Sequence, residues 1–553
     1  MSMDPWDYII IGAGSAGCVL ANRLSADPAN RVLLLEAGGT DRRFRVRVPI
    51  GYARTFRDPS LNWMYQTEPE PALDGRSSYW PRGKLLGGSS SIHAMAYVRG
   101  QPQDYDDWER RGNPGWGWAD VLPFFKRSED HAGGPDPFHG AGGPLRVSDI
   151  AAQVHPLCAR FLDAAQTLGH ACTEDFNGPV TQGVGFYQIN TRAGLRESSA
   201  TAFLRPAMRR PNLEVHTRSQ ATRVLLQGRR AVGVAYLRGD VCVEARARRE
   251  VIVCAGAVNS PQLLQLAGIG DARWLASLGI AVVADAPMVG AQLQDHLHIT
   301  HVYRARVPTL NDALHPWHGK FRAGLRYLVR RDGPLSMSVN QAGGFVRSAG
   351  APGPGPDLQL YFNPASYTTR PSEGRRMMNT DPFPGFSMSV HACRPTSRGT
   401  IRLRSADPLA RPLISPNYLS TRQDQADALA GARLLRALAA APPLRDVIAA
   451  EILPGAQASS DADLMADFRA RADTIFHPVG TCAMGADPAT SVVDARLRVH
   501  GITGLRVVDA SVFPAITSGN TNAPVLMVAE KGAQMVLEDA AQARSASTST
   551  RQS

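Results

Sequence analysis

The chain has 553 residues, 44% of them hydrophobic and 20% charged, with a formal net charge of +11. That apolar content excludes intrinsic disorder for most of the chain, and the length allows roughly two to four domains with buried cores. The basic excess is almost all arginine, because lysine occurs only at Lys84, Lys126, Lys320 and Lys531.

The arginines are scattered in ones and twos, with no basic run of five or more. This argues against a nucleic-acid partner, and an arginine coding bias accounts for the excess equally well. The charge still leaves room for an anionic small molecule or for peripheral contact with a membrane surface. Seven cysteines (Cys18, Cys158, Cys172, Cys242, Cys254, Cys393, Cys482) form no C-x-x-C pair. They provide neither a disulfide framework nor a metal cluster, so a reducing compartment and no metal are expected. Met1–Asp7 lacks the basic region and cleavage site of a secretory signal. The stretch Tyr8–Leu20 is short and broken by glycines. The expectation is a soluble, cytoplasmic protein.

Residues 7–17 read D-Y-I-I-I-G-A-G-S-A-G. Tyr8–Ile11 is expected as a buried strand, followed by a helix with Val19, Leu20 and Leu24 on one face. Gly12 permits the tight turn, Gly14 lets the backbone approach a pyrophosphate, and Gly17 lets helix and strand pack closely. The phosphates would sit at the positive end of the helix dipole. A second strand, Arg31–Leu35, ends at Glu36, where a carboxylate meets ribose hydroxyls. The unit predicts a dinucleotide site but does not choose between NAD and FAD.

Further along, residues 81–106 cluster Gly and Ser in P-R-G-K-L-L-G-G-S-S-S-I-H-A-M-A-Y-V-R-G-Q-P-Q-D-Y-D, supplying N–H and hydroxyl donors. Gly/Pro-rich loops are expected at His131–Pro144, Ser348–Asp357 and Thr369–Gly385. Val251–Val253 followed by Ser260–Leu266 reads as a strand and helix, and Thr400–Arg404 as a half-exposed strand. Gln423–Ala441 and Asp461–Ala472 have helical spacing. Near the end, strand Leu505–Val508 stops at Asp509-Ala510-Ser511. Ser518–Pro524 and a helix from Val525 follow it. Ala540–Ser553 is small and polar and is expected to be disordered.

These segments make the chain resemble the glucose–methanol–choline (GMC) oxidoreductase family. Gly83–Asp106 matches its first signature, and Gly256–Gly270 its second, with Ala267 in place of the usual Ser. Thr474–Thr481 (T-I-F-H-P-V-G-T) and Gly504–Lys531 match its catalytic region. The resemblance implies an α/β chain, α+β overall. A Rossmann-like FAD-binding domain would be assembled from 5–154, 216–307 and 471–540. An inserted substrate domain of antiparallel sheet plus helices would come from 155–215 and 308–470, before a disordered tail at 541–553. It places Gly12, Gly14, Ser15, Ala16, Gly17, Glu36, Ala37, Gly88, Ser89, His93, Ala94, Met95, Ala96, Ala221, Asp509, Ala510 and Thr521 against FAD.

Oxidising an alcohol requires removal of the hydroxyl proton and transfer of hydride, which flavin N5 accepts. Neutral histidine is suited to take the proton. The family motif puts that base at His477. Its partner falls on Asn520, whose amide can hold the substrate oxygen, with Asn522 as the alternative. The family's covalent attachment position falls on Ile92, so FAD is expected to be non-covalent, contacted by His93. The segment Ala286–Leu297 departs from the family at Met288 and Gln292. Asp295 and His296 are retained and are expected to be structural.

The resemblance points to the bacterial choline-dehydrogenase-like branch: oxidation of a primary alcohol, with electrons passed to a quinone or other carrier. An oxidase producing hydrogen peroxide from oxygen is the alternative, and a cyanohydrin lyase a third. The inserted region carries no readable substrate code. Phe186, Tyr187, Trp317, Tyr361, Phe362 and Phe386 suit either a pocket or the core. Choline would need a carboxylate or an aromatic cage.

Overall fold

The computed structural model describes residues 5–351, 353, 355–367 and 379–552. Part of the expected Ser348–Asp357 loop, at positions 352 and 354, lies outside the described residues, as does the Thr369–Gly385 loop up to 378.

The apolar run at the N-terminus forms strand Trp6–Ile11, fully enclosed from Asp7 onward. It lies in the middle of a seven-stranded sheet between two parallel neighbours, Val32–Leu35 and Val241–Val253. Burial on both faces explains the continuous Ile/Val/Leu composition of these strands. Leu213–His216 extends the sheet beyond Val32–Leu35, and Leu505–Val507 pairs in parallel with the end of Val241–Val253. Strand Val241–Val253 has two roles. Its first half pairs antiparallel with Arg230–Arg238, which pairs in turn with Ser219–Gln227, and its second half joins the parallel core.

The register aligns Ile11 with Leu35 and Val253. The chain therefore leaves neighbouring strands together at Gly12, Glu36 and Cys254, with Asp509 just beyond Leu505–Val507. That edge, at the carboxyl ends of parallel strands, is where α/β sheets bind ligands. Helices Ser15–Leu24 and Gly256–Leu266 start there.

A second seven-stranded sheet has its backbone in the order Ile448–Leu453, Leu297–Ala305, Gly385–Ala392, Leu358–Asn363, Ala342–Val346, Gly183–Phe186, all antiparallel. Helices Arg422–Ala440 and Asp461–Arg471 form near the expected positions, each started by a side-chain cap from Thr421 or Ser460. The α/β class with an antiparallel second layer is as expected.

Two strands fall on the other side of the expected divisions. Leu297–Ala305 belongs to the second sheet although the expected segment 216–307 assigns it to the first, and Leu213–His216 does the reverse. Strand pairing decides membership, and the linear sequence does not contain it. The C-terminus also differs: helix Asn522–Gln552 continues where 541–553 was expected to be disordered. Alanine has the highest helix propensity, and A-A-Q-A-R-S-A can continue a helix already anchored by its buried start.

Candidate active site

A cavity of about 2100 Å³, mouth included, runs from the carboxyl edge of the first sheet to the second sheet. Its walls include Gly12, Gly14, Ser15, Ala16, Glu36, Ala37, Gly88, Ser89, His93, Ala94, Met95, Ala96, Ala221, Asp509, Ala510 and Thr521, together with His477 and Asn520. Residues more than 500 positions apart thus share one enclosure. Gly17 is the one expected contact that does not line it. A Cβ there would lie 1.9 Å from the Gly12 carbonyl oxygen, so Gly17 is needed for helix–strand packing. At Gly14 the nearest atom to a Cβ is 4.0 Å away, so that glycine keeps the cavity open.

At the dinucleotide end, the buried Glu36 carboxylate accepts from the backbone N–H groups of Ala13 at 3.0 Å and Gly38 at 2.8 Å. Burial pushes its pKa up to about 7 against these donors. The Gly88 turn packs onto the first loop so closely that a Cβ at Gly88 would be 2.7 Å from the Gly14 Cα. Asp509 turns inward: it accepts from the Gly256 N–H at 2.8 Å and the Ser260 hydroxyl at 2.5 Å, binding the end of strand Leu505–Val507 to helix Gly256–Leu266. The alternative partner, Asn522, accepts a hydrogen bond from Ser15 at 2.8 Å and so belongs to this end.

His93 is held in one tautomer. Its Nδ1 accepts from the Met95 N–H at 2.8 Å, which leaves the proton on Nε2. That Nε2 is buried, lines the cavity and has no protein partner. Burial and the adjacent Arg196 hold the ring neutral, its pKa pulled down to about 3.

At the other end stands His477, 8% exposed, on the loop after Phe476. Its N–H donates to Asp295 at 2.7 Å. Asp295 also accepts from Tyr418 and Thr474, each at 2.5 Å, so its carboxylate fixes the loop that carries His477. Behind the ring, His477 Nδ1 lies 3.0 Å from His296 Nδ1, and His296 Nε2 lies 2.9 Å from the Cys393 carbonyl oxygen.

A carbonyl only accepts, so His296 carries its proton on Nε2 and offers a lone pair at Nδ1. His477 must then donate from Nδ1, and its Nε2 carries the free lone pair. That atom lies 3.2 Å from the Asn520 amide nitrogen. The Asn520 oxygen is turned away, accepting from Gln359 and Tyr361 at 3.4 Å each. Burial, reinforced by His391 and Arg82, lowers the His477 pKa well below the ordinary imidazole value. The pair presents a neutral, unprotonated nitrogen beside an amide donor.

The sequence identifies both members of this pair but not what orders them. Asp295 and His296, expected to be structural, are what position His477. The available signal was their retention in a segment that otherwise departs from the family at Met288 and Gln292. Gln359 had no signal at all. Of the six aromatic candidates, Tyr361 lines the cavity and Tyr187 buttresses it by accepting from Gln359 at 3.1 Å. Phe362 and Phe386 are core residues of the second sheet, Phe186 packs against that core, and Trp317 is exposed.

Comparison with known proteins identifies the family. Residues 6–298 and 395–529 match the two GMC oxidoreductase family models. The chain is 45% identical over 538 residues to an alcohol dehydrogenase [acceptor] of Pseudomonas putida, covering 96% of each. It is 44% identical to the mitochondrial choline dehydrogenase of Homo sapiens, over 97% of this chain and 90% of that one. Among solved structures, pyridoxine 4-oxidase from Mesorbium loti aligns with a TM-score of 0.85 and 33% identity, covering 96% of this chain and 98% of the other. Matches of this extent, carried by the signatures that build the cavity, show that the chain belongs to the GMC oxidoreductase family.

Proposed function

We propose that the cavity holds FAD non-covalently and that the chain oxidises the CH–OH group of a primary alcohol, with His477 as base. The observation that carries this is the ordered chain Cys393 carbonyl–His296–His477, which leaves Nε2 of His477 unprotonated beside Asn520.

The residues fit the cofactor. Glu36 and Gly14 suit the ribose and pyrophosphate of a dinucleotide, and Ala221, Ala510 and Thr521 suit its remaining length. The unpartnered Nε2–H of His93 is a buried donor that a polar ring edge would satisfy. Ile92 is a buried hydrocarbon with no nucleophile for a covalent link. FAD, when bound, supplies the hydride acceptor that no amino-acid side chain can provide.

The protein's own part is proton removal and positioning. His477 Nε2 takes the hydroxyl proton, and the Asn520 Nδ2–H group holds the oxygen as negative charge develops on it. His296 then accepts a stronger hydrogen bond from the charged His477 ring. Among the described residues, the carboxylates on the cavity wall are Glu36 and Asp509, both tied to backbone N–H groups. Tyr52, Phe56, Trp63, Tyr361 and Phe476 share that wall, so it suits an alcohol whose body packs against aromatic rings, apolar or cationic. Electrons leave to a quinone or similar carrier in this reading, with oxygen as the competing acceptor.

The test is a panel of primary alcohols, scored in parallel with an artificial dye and with oxygen. The dehydrogenase reading expects dye-linked turnover well above peroxide formation, and the reverse ranking selects the oxidase. Anaerobic alcohol should bleach the flavin; a flavin left yellow, with cyanohydrin cleavage, overturns oxidation altogether. His477→Ala retaining full turnover would overturn the mechanism.

A further inference from the structure

Helix Trp317–Arg330 rests on the protein through a narrow edge, for only Ala323 and Tyr327 are buried. The Tyr327 hydroxyl secures it by donating to the Gly194 carbonyl at 2.9 Å. Trp317, Phe321, Leu325, Leu328 and Val329 are 78%, 64%, 53%, 59% and 73% exposed. At 3.6 residues per turn these five share one arc of roughly 120°, turned away from the Ala323–Tyr327 edge. Isolated exposed apolar residues are ordinary, but a contiguous stripe that includes Trp and Phe marks an interaction surface.

The charges bordering the stripe have one sign. Arg322, Arg326 and Arg330 follow one side and Lys320 the other, and the helix contains no acidic residue. Beyond its end, Arg331 joins Arg42, Arg43, Arg47 and Arg205 around an adjoining hollow, on whose rim Phe44 is 67% exposed. Carboxylates pair with three of these cations: Asp332 with Arg326 at 2.6 Å, Asp41 with Arg205 at 2.8 Å, and Asp58 with Arg43 at 3.9 Å, the last shared with neighbouring Arg45. The remaining cations leave the face strongly positive.

We propose that this face docks on an anionic lipid bilayer. Trp317, Phe321, Leu325, Leu328, Val329 and Phe44 enter the interfacial layer, and the arginines meet lipid phosphates. An apolar stripe with aromatic residues bordered by Lys and Arg is the composition that lies in a membrane interface. Fourteen residues span about 21 Å, short of the roughly 30 Å hydrocarbon core, so the helix lies along the surface. Among the described residues no helix is long and apolar enough to cross a membrane. A second copy of the chain fits less well, since a two-fold contact would set this basic border against itself. The surface adjoins the cavity wall in sequence: Tyr52 follows the 44–51 segment, and Asn340 follows the helix and its next turn.

The test is flotation of the flavin-loaded, full-length enzyme with vesicles of phosphatidylcholine alone or mixed with phosphatidylglycerol. Dye-linked turnover is measured in the same samples. Wild type should float with the mixed vesicles, and the triple variant Trp317→Ser/Phe321→Ser/Val329→Ser should bind at least about tenfold more weakly with flavin content and turnover unchanged. Arg322→Glu/Arg330→Glu should weaken binding and reduce its salt dependence. Wild type that stays in solution with both vesicles, or a triple variant that floats as well as wild type, overturns the proposal. So does a concentration-dependent dimer that the triple variant abolishes while vesicle binding is absent. Because turnover and flotation are read separately, failure of this docking surface is distinct from failure of the proposed activity.

Discussion

His477 and His296 face each other Nδ1 to Nδ1 at 3.0 Å, and the Cys393 carbonyl beyond His296 decides which of the two rings donates. The proposed base is thereby oriented through a second ring, 181 positions earlier in the chain, that does not line the cavity. His296→Ala should leave flavin content intact but lower kcat/KM by about 10–100-fold, the range found for residues that orient a functional ring. His296→Gln should recover most of the loss, because its amide oxygen can accept the same Nδ1–H. Steady-state kinetics across pH distinguishes this from a structural defect: the alanine variant should also shift the acid limb.

Asn520 faces His477 with its amide nitrogen because Gln359 and Tyr361 donate to its oxygen. Asn520→Ala removes a donor to the developing oxyanion and should cost about 10²–10³ in kcat. Tyr361→Phe removes one of two orienting bonds and should cost less than about tenfold. Equal losses in the two variants would show that Asn520 orientation does not depend on this pair.

The second and third glycines of the fingerprint should separate cofactor binding from folding. A Cβ at Gly17 meets the Gly12 oxygen at 1.9 Å, so Gly17→Val should fail to accumulate as folded protein. At Gly14 the side chain projects into open space, so Gly14→Val should fold but lose bound flavin. Thermal unfolding and flavin absorbance of the two variants check this.

Burial pulls the pKa values of His93 and His301 down to about 3 and that of His391 to about 4, so all three are neutral in the folded protein. In the unfolded chain they protonate near pH 6.5. The stabilisation these three histidines contribute is therefore full above pH 6.5 and is lost as pH falls toward 4, by about 1.4 kcal/mol per pH unit for each. His139 has the opposite sign. Burial opposes its charge, but the carboxylates of Asp175 and Glu129 outweigh it and raise the pKa to about 9. Its stabilisation is complete below pH 6.5 and is lost as pH rises through 9. Denaturant unfolding from pH 4 to 9.5 should show both limbs, and His139→Gln should flatten the alkaline one.

What the sequence alone determined is the local chemistry. G-x-G-x-x-G between an apolar strand and a helix, Glu36 at the end of the next strand, and H-P-V-G-T at His477 each work within a few residues. Spacing therefore reveals them. The family signatures then joined three distant stretches around one cofactor. The tertiary structure decided the rest because the rest consists of long-range pairings. Leu297–Ala305 joins the second sheet through its strand partners, and His296, just before it, thereby reaches His477. Gln359 and Tyr361 meet Asn520 only because strand Leu358–Asn363 lies across the cavity. The stripe on helix Trp317–Arg330 has the periodicity of an ordinary core-facing helix, and only the folded chain shows that it faces outward.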